Sequence, residues 1–359
     1  MLALLPESRV LRASALTVLL VIMVFLPAGQ VTMAASPPPS AVGVTNLIDD
    51  VFPGSGPSSL VLNQDGNPVI AYVDNVDDTL QSRLYKIAVC HDANCAAPPT
   101  INTLASGPFG DLLKVMLNSN GLPVVAYVDN GGDVVLQTCG DSTCTSTSMV
   151  GPIGLGDAEH RSVVLAADDR PIISYHNYST NDLNLTVCNS ADCDAPDTVI
   201  VDDVGVSGGN NTLALNSSGL PVMAYFDDGT NQAGLFTGLK VAVCNTSECT
   251  GPAISEVDTG YATGEFASMQ FNQLGHPIIS YYHLGAQSLM AAFCQDATCS
   301  FPPDVVTVDT NGVGRYTSMA LSIGDYPVIT GRTHLDLGLP RASWRVFITA
   351  SRAPQSPFG

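Results

Sequence analysis

The chain has 359 residues, of which 45% are hydrophobic and only 13% charged, so a large core is available and the surface is mostly neutral polar. The formal net charge is −20, with just 13 Lys and Arg and no basic run. Phosphate contacts rest on Lys and Arg, so nucleic acid is not expected as a partner.

Arg9 and Arg12 precede an apolar run from Ala13 to Leu26, and small residues follow at Ala34 and Ala35. That layout predicts a secretory signal peptide over residues 1–35, cleaved on export, with a Pro-rich linker over 36–42. No later apolar run has membrane-spanning length, so no membrane span is expected in the mature protein. A secreted, extracellular or cell-surface location is expected (the periplasm in a cell with two membranes).

From there a unit of about fifty residues repeats. A Pro recurs just after a turn at Pro68, Pro123, Pro171, Pro221, Pro277 and Pro327. The surrounding words also return: SLVLNQDGNPVIAY, VMLNSNGLPVVAY, VVLAADDRPIISY, LALNSSGLPVMAY, MQFNQLGHPIISY and MALSIGDYPVIT. A strand such as LYKIAVC or LKVAVC follows, then a Cys-bracketed loop, then a closing strand such as TVIVDDV. Each unit thus holds four short strands, a to d. Strand b begins at Pro, where the missing N–H harms no ladder. Its both-sided apolar pattern fits a strand buried between neighbouring sheets.

Four-stranded units at this period predict an all-β fold, a six-bladed β-propeller. The blades are expected at about 58–105, 112–151, 161–203, 211–258, 266–309 and 317–350, within a propeller domain of 43–350, with a tail at 351–359. The last unit lacks strand d, and Val44–Asp50 resembles the d strand Thr198–Asp203. The N-terminal strand is therefore expected to pair with the last blade and close the ring, which removes free edges. Because the sixth unit is the most degenerate, five blades plus a cap is the alternative. These units are similar to those of secreted bacterial repeat proteins of the form G-x-P-V-I-S-Y … L-K-V-A-x-C-x4-C … VD, over about residues 44–350. That resemblance implies the architecture and no activity.

All ten Cys fall into five pairs of one spacing: Cys90–Cys95, Cys139–Cys144, Cys188–Cys193, Cys244–Cys249 and Cys294–Cys299. Four intervening residues across a hairpin bring the two Cα atoms within disulfide reach, and export supplies the oxidising compartment. Five disulfides are expected. Zinc would need four ligands from pairs held in different blades, so no metal site and no cofactor are expected. The acidic stretch Asp74–Asp78 and the turn Asn63–Gly66 leave calcium as a secondary reading, without a full loop pattern.

The a–b and c–d connections are nearly uniform, whereas the b–c and d–a connections vary, and variable loops on a rigid scaffold carry specificity. The d–a links supply Asp111, Glu159, His160, Arg161, Glu265, Phe266, Arg315 and Tyr316, and Arg332 ends a b strand nearby. This polar and aromatic set can hold a sugar by hydrogen bonds and stacking. The reading favoured by the sequence is a non-catalytic, monomeric extracellular protein that binds a glycan or a protein partner. One alternative is a glycan-active enzyme that resembles sialidases, with Arg161, Arg315 and Arg332 gripping a carboxylate beside Tyr316, Glu265 and Asp111. The S-x-D-x-G-x-x-W boxes of that family are missing, so that likeness is one of residue types. The other alternative is a purely structural surface protein.

Overall fold

A computed structural model describes residues 49, 57–75, 83–107, 110, 112–229, 238–260, 262–310, 312–322, 324–333 and 344–348. The expected signal peptide, linker and tail, and all of the expected closing strand except Asp49, lie outside the described residues.

Every described element is a β-strand, and the strands form six antiparallel sheets. The first sheet holds β1 (Ser58–Leu62), β2 (Pro68–Asn75), β3 (Arg83–Val89) and β4 (Thr100–Gly107). The second holds β5 (Leu113–Leu117), β6 (Pro123–Val128), β7 (Val134–Cys139) and β8 (Thr147–Ile153). The third holds β9 (Ala158–Leu165), β10 (Pro171–Asn177), β11 (Asp182–Cys188) and β12 (Pro196–Asp202). The fourth holds β13 (Ser207–Leu215), β14 (Pro221–Asp227), β15 (Leu239–Val243) and β16 (Ala253–Asp258). The fifth holds β17 (Thr263–Phe271), β18 (Pro277–His283), β19 (Ser288–Phe293) and β20 (Asp304–Asp309). The sixth has three described strands, β21 (Val313–Leu321), β22 (Pro327–Thr333) and β23 (Trp344–Ile348). Five four-stranded sheets and one smaller sheet fit six blades.

The first strand of each blade touches the first strand of the next, from β1 through β5, β9, β13 and β17 to β21. The middle strands are therefore covered on both faces: β6, β11 and β15 are buried at every residue, while the outer strands β8, β12 and β20 are largely exposed. The hydrophobic core follows the same logic. Five clusters lie between consecutive blades, as where Val69 and Ile87 meet Val115 and Val125, or Val241 meets Ile279. Apolar residues on both faces of a strand are what such slabs require.

Asparagines shape the a–b turns. Oδ1 of Asn63, Asn118, Asn216 and Asn272 each accepts amide hydrogens two and four residues on. The turn from Asn63 to Gly66 thus spends its side-chain oxygen on its own backbone, as Asx turns do. In the third blade, a left-handed Asp169 takes the usual glycine position, and its carboxylate accepts from Ser119 N and Oγ in the second blade. All five Cys pairs are disulfides, with Cα–Cα distances of 5.0, 4.7, 4.8, 4.6 and 4.9 Å in chain order.

Buried polar ties join the blades. Asp202 ends the outer strand of the third blade and reaches into the fourth, accepting from Tyr225 Oη at 2.6 Å and pairing with Lys240 Nζ at 3.1 Å. Lys240 also pairs with Asp227, and all three charged side chains are at most 7% exposed. Burial alone would lower the Lys240 ammonium, but bonds and charge from Asp227 and Asp202 outweigh it and raise it above the ordinary value. Tyr281 Oη donates to Asp258 at 2.6 Å in the same way. The first blade repeats the arrangement. Tyr72 donates to Asp49 at 2.7 Å, and Lys86 pairs with Asp49 at 2.8 Å and Asp74 at 2.7 Å.

Candidate functional site at the junction of the fifth and sixth blades

The first strands of the third to sixth blades share a local distortion. His160, Asn210, Phe266 and Tyr316 all have left-handed backbones, with φ of 51°, 46°, 54° and 55°. Each stands eleven residues before its blade's second-strand proline. The pairing register shifts there in every case, which marks a β-bulge. A left-handed aromatic residue is strained, and such strain collects at functional sites.

Glycines bring these strands close to the preceding blade. A Cβ on Gly264 (φ 107°) would lie 2.9 Å from Leu239 Cα, and one on Gly314 (φ 126°) 2.9 Å from Leu289 Cα. The next blade pins two of these bulges. Thr317 Oγ1 donates to Phe266 O at 2.6 Å, and Asn211 Nδ2 donates to His160 O.

Two bulges therefore deliver their aromatic rings to one place. The Phe266 and Tyr316 centroids are 4.5 Å apart, tilted by 44°, and Tyr316 is 53% exposed. Beside them stand Glu265 and Arg315, the preceding residues of the same two bulges. Burial pushes the Glu265 carboxyl above the usual carboxylate value, and the opposing pull of Arg315 does not offset it. The Arg315 guanidinium carbon lies 5.6 Å from the centroid of the Tyr282 ring, which is wholly buried. Arg315 Nε and Tyr282 Oη are buried with no hydrogen-bond partner among the described residues. Tyr282 faces Glu265 in the β17–β18 register, and Arg332 faces Arg315 in the β21–β22 register.

The structure thus brings together Glu265, Phe266, Arg315 and Tyr316. Glu159, His160 and Arg161 occupy the corresponding stretch of the third blade. There Arg161 Nη2 donates to Gly132 O of the second blade at 3.1 Å, which ties it to that junction. Asp111 lies outside the described residues, and Arg332 is placed by its backbone in β22. One correction concerns where these residues sit. The sequence assigns them to the d–a links, yet β9, β17 and β21 begin before them, because a bulge allows the chain to keep pairing on either side of the distorted residue. Tyr282 is a member of this cluster that the sequence reading misses. Val73, Val128, His176, Phe226 and Arg332 hold the same place after the proline in the other blades, so the position varies and no repeat signal singles out Tyr282.

Among the described residues, no group of three His, Cys, Asp or Glu side chains is placed to hold a metal ion. Asp74 is engaged by Lys86. Asp77 and Asp78, the remaining acidic residues of that stretch, lie outside the described residues, so the calcium reading gains no ligand set from them.

No protein-family model and no curated protein matches the chain. Solved structures share its fold. A protein of unknown function from Dyadobacter fermentans DSM 18053 is 12% identical with a TM-score of 0.57, covering 82% of this chain and 94% of that one. The alpha-L-arabinanase of Penicillium chrysogenum, solved with arabinobiose, is 12% identical with a TM-score of 0.55, covering 84% and 95%. A polysaccharide lyase of family PL25, an ulvan lyase, is 14% identical with a TM-score of 0.50, covering 81% and 78%. At these identities the likeness establishes a propeller-type all-β architecture and nothing about chemistry.

Proposed function

We propose that this protein is an extracellular glycan-recognising propeller whose site is the junction of the fifth and sixth blades. The observation that carries this reading is the Phe266–Tyr316 pair, raised on two strained bulges and flanked by Glu265 and Arg315. Sugars present apolar C–H faces to aromatic rings and hydroxyls to charged and polar groups, and this cluster offers both. Five disulfides support the extracellular location.

The site needs its two blades held in a fixed relation, and a closed ring would do that. Asp49 supports closure by the N-terminal strand. It serves Tyr72 and Lys86 as Asp202, from the preceding blade's outer strand, serves Tyr225 and Lys240.

A catalytic form of the same proposal is the second reading. It is favoured by Glu265, whose carboxyl is held toward the protonated state that a general acid needs. Two of the structural neighbours, the arabinanase and the ulvan lyase, are glycan-active enzymes, which supports this form more than it supports binding alone.

A glycan array with the mature protein tests the reading, with release of reducing ends from bound glycans as the measure of catalysis. Specific binding lost in Tyr316→Ala is the expected result. A blank array overturns it. Turnover abolished by Glu265→Gln, with binding retained, would establish the catalytic form.

A further inference from the structure

We propose that the glycan taken at this junction carries a carboxylate, held by Arg315. The proposal rests on the glycan reading above and names the class of sugar.

Three observations lead to it. Arg315 has no acidic partner within ion-pair distance among the described residues, and its buried Nε has no acceptor there. A guanidinium has five donors in a rigid fork, and a planar carboxylate matches that fork with two parallel hydrogen bonds. The β21–β22 register also places a second arginine, Arg332, at the position opposite Arg315. Finally, the Tyr282 ring against which Arg315 lies carries a buried Oη without a partner of its own among the described residues.

The neighbouring carboxyl does not cancel this preference. Burial disfavours the charged form of Glu265, and among the described residues it forms no ion pair or hydrogen bond with Arg315, so it does not occupy the guanidinium fork. The position is also singular among the bulged strands. Where the sixth blade has Arg315, the third has Glu159, the fourth Gly209 and the fifth Glu265. In a chain of net charge −20, a guanidinium without an acidic partner among the described residues favours an acidic sugar at its junction.

The test is calorimetric titration of the mature protein with three probes: oligogalacturonates, the same oligosaccharides with their carboxyls methyl-esterified, and a sulfated neutral oligosaccharide. Esterification removes the charge and keeps the ring. The free acid is expected to bind at least about tenfold more tightly than the ester, and Arg315→Gln is expected to bring the two within about twofold of each other. Arg315→Lys keeps the charge without the fork, and an intermediate preference is expected. Should either variant unfold, the wild type still decides the matter, because preference for the acid must shrink as salt rises.

Equal binding of acid and ester overturns the proposal, as does a preference that survives Arg315→Gln. Binding of the sulfated probe but not of the uronate also overturns it, in favour of a sulfate ester. If neutral glycans bind and lose binding in Tyr316→Ala while the acid shows no advantage, the carboxylate proposal fails and the glycan reading stands. If no glycan binds at all, the glycan reading itself fails.

Discussion

Lys240 offers the sharpest test of what holds neighbouring blades together. It bridges Asp202 and Asp227, and Tyr225 closes the set by donating to Asp202. Lys240→Met would leave two buried carboxylates without their cation. Removing one partner of a buried ion pair costs about 3–5 kcal/mol, because the remaining charge is uncompensated. In a chain of this size each kcal/mol shifts the melting temperature by about 2 °C, so a fall of about 6–10 °C is expected. The fifth blade supplies a natural control, with Met290 and His283 at the positions of Lys240 and Asp227, and Asp258 still bound to Tyr281. The double variant Lys240→Met/Asp227→His copies that set and should recover roughly half or more of the loss.

The pH dependence has a definite sign. The folded-state value of Lys240 lies above its unfolded value, so its stabilisation is complete below the ordinary lysine value of about 10.4 and is lost as pH rises through the folded value. Wild type and Lys240→Met should therefore converge in stability at strongly alkaline pH. The assay is thermal unfolding followed by circular dichroism from neutral to alkaline pH. A variant that melts within about 2 °C of wild type at neutral pH would refute the argument that this network holds the blades.

Other substitutions probe other parts of the structure. Gly264→Ala should destabilise by about 1–3 kcal/mol, since the new methyl meets Leu239 backbone and φ is positive, and chemical denaturation would measure it. Cys244→Ser with Cys249→Ser should cost about 2 kcal/mol, the chain-entropy value for so short a loop, read from the same denaturation curves. Glu265→Gln should leave stability unchanged or raise it near neutral pH. The raised carboxyl favours the folded state fully only below its unfolded value and loses that advantage as pH rises through its folded value, and the difference between variant and wild type should vanish in acid. A Glu265→Gln protein that is less stable than wild type at neutral pH would count against the buried, disfavoured charge.

The repeat and its staples were legible in the chain itself. A proline at the start of each second strand, Asn or Gly in most first turns and Cys pairs of one spacing are local signals, and local signals survive in a sequence read alone. The doubly apolar second strand likewise announces a sheet covered on both sides. The register of the site was not legible. Nothing within either repeat says that Phe266 and Tyr316, fifty residues apart, meet at 4.5 Å. That contact depends on two bulges, on glycines that let each first strand approach the preceding blade, and on Thr317 pinning the Phe266 carbonyl. The buried ties have the same character. Asp202, Tyr225 and Lys240 are ordinary members of three separate strands, and only blade-on-blade packing removes them from water together and makes their pairing obligatory. Sequence alone thus determined the repeating strands and their covalent staples, because those follow from short-range geometry. Tertiary structure decided which side chains of different repeats meet and which charges become buried, because both are set by the distance between sheets.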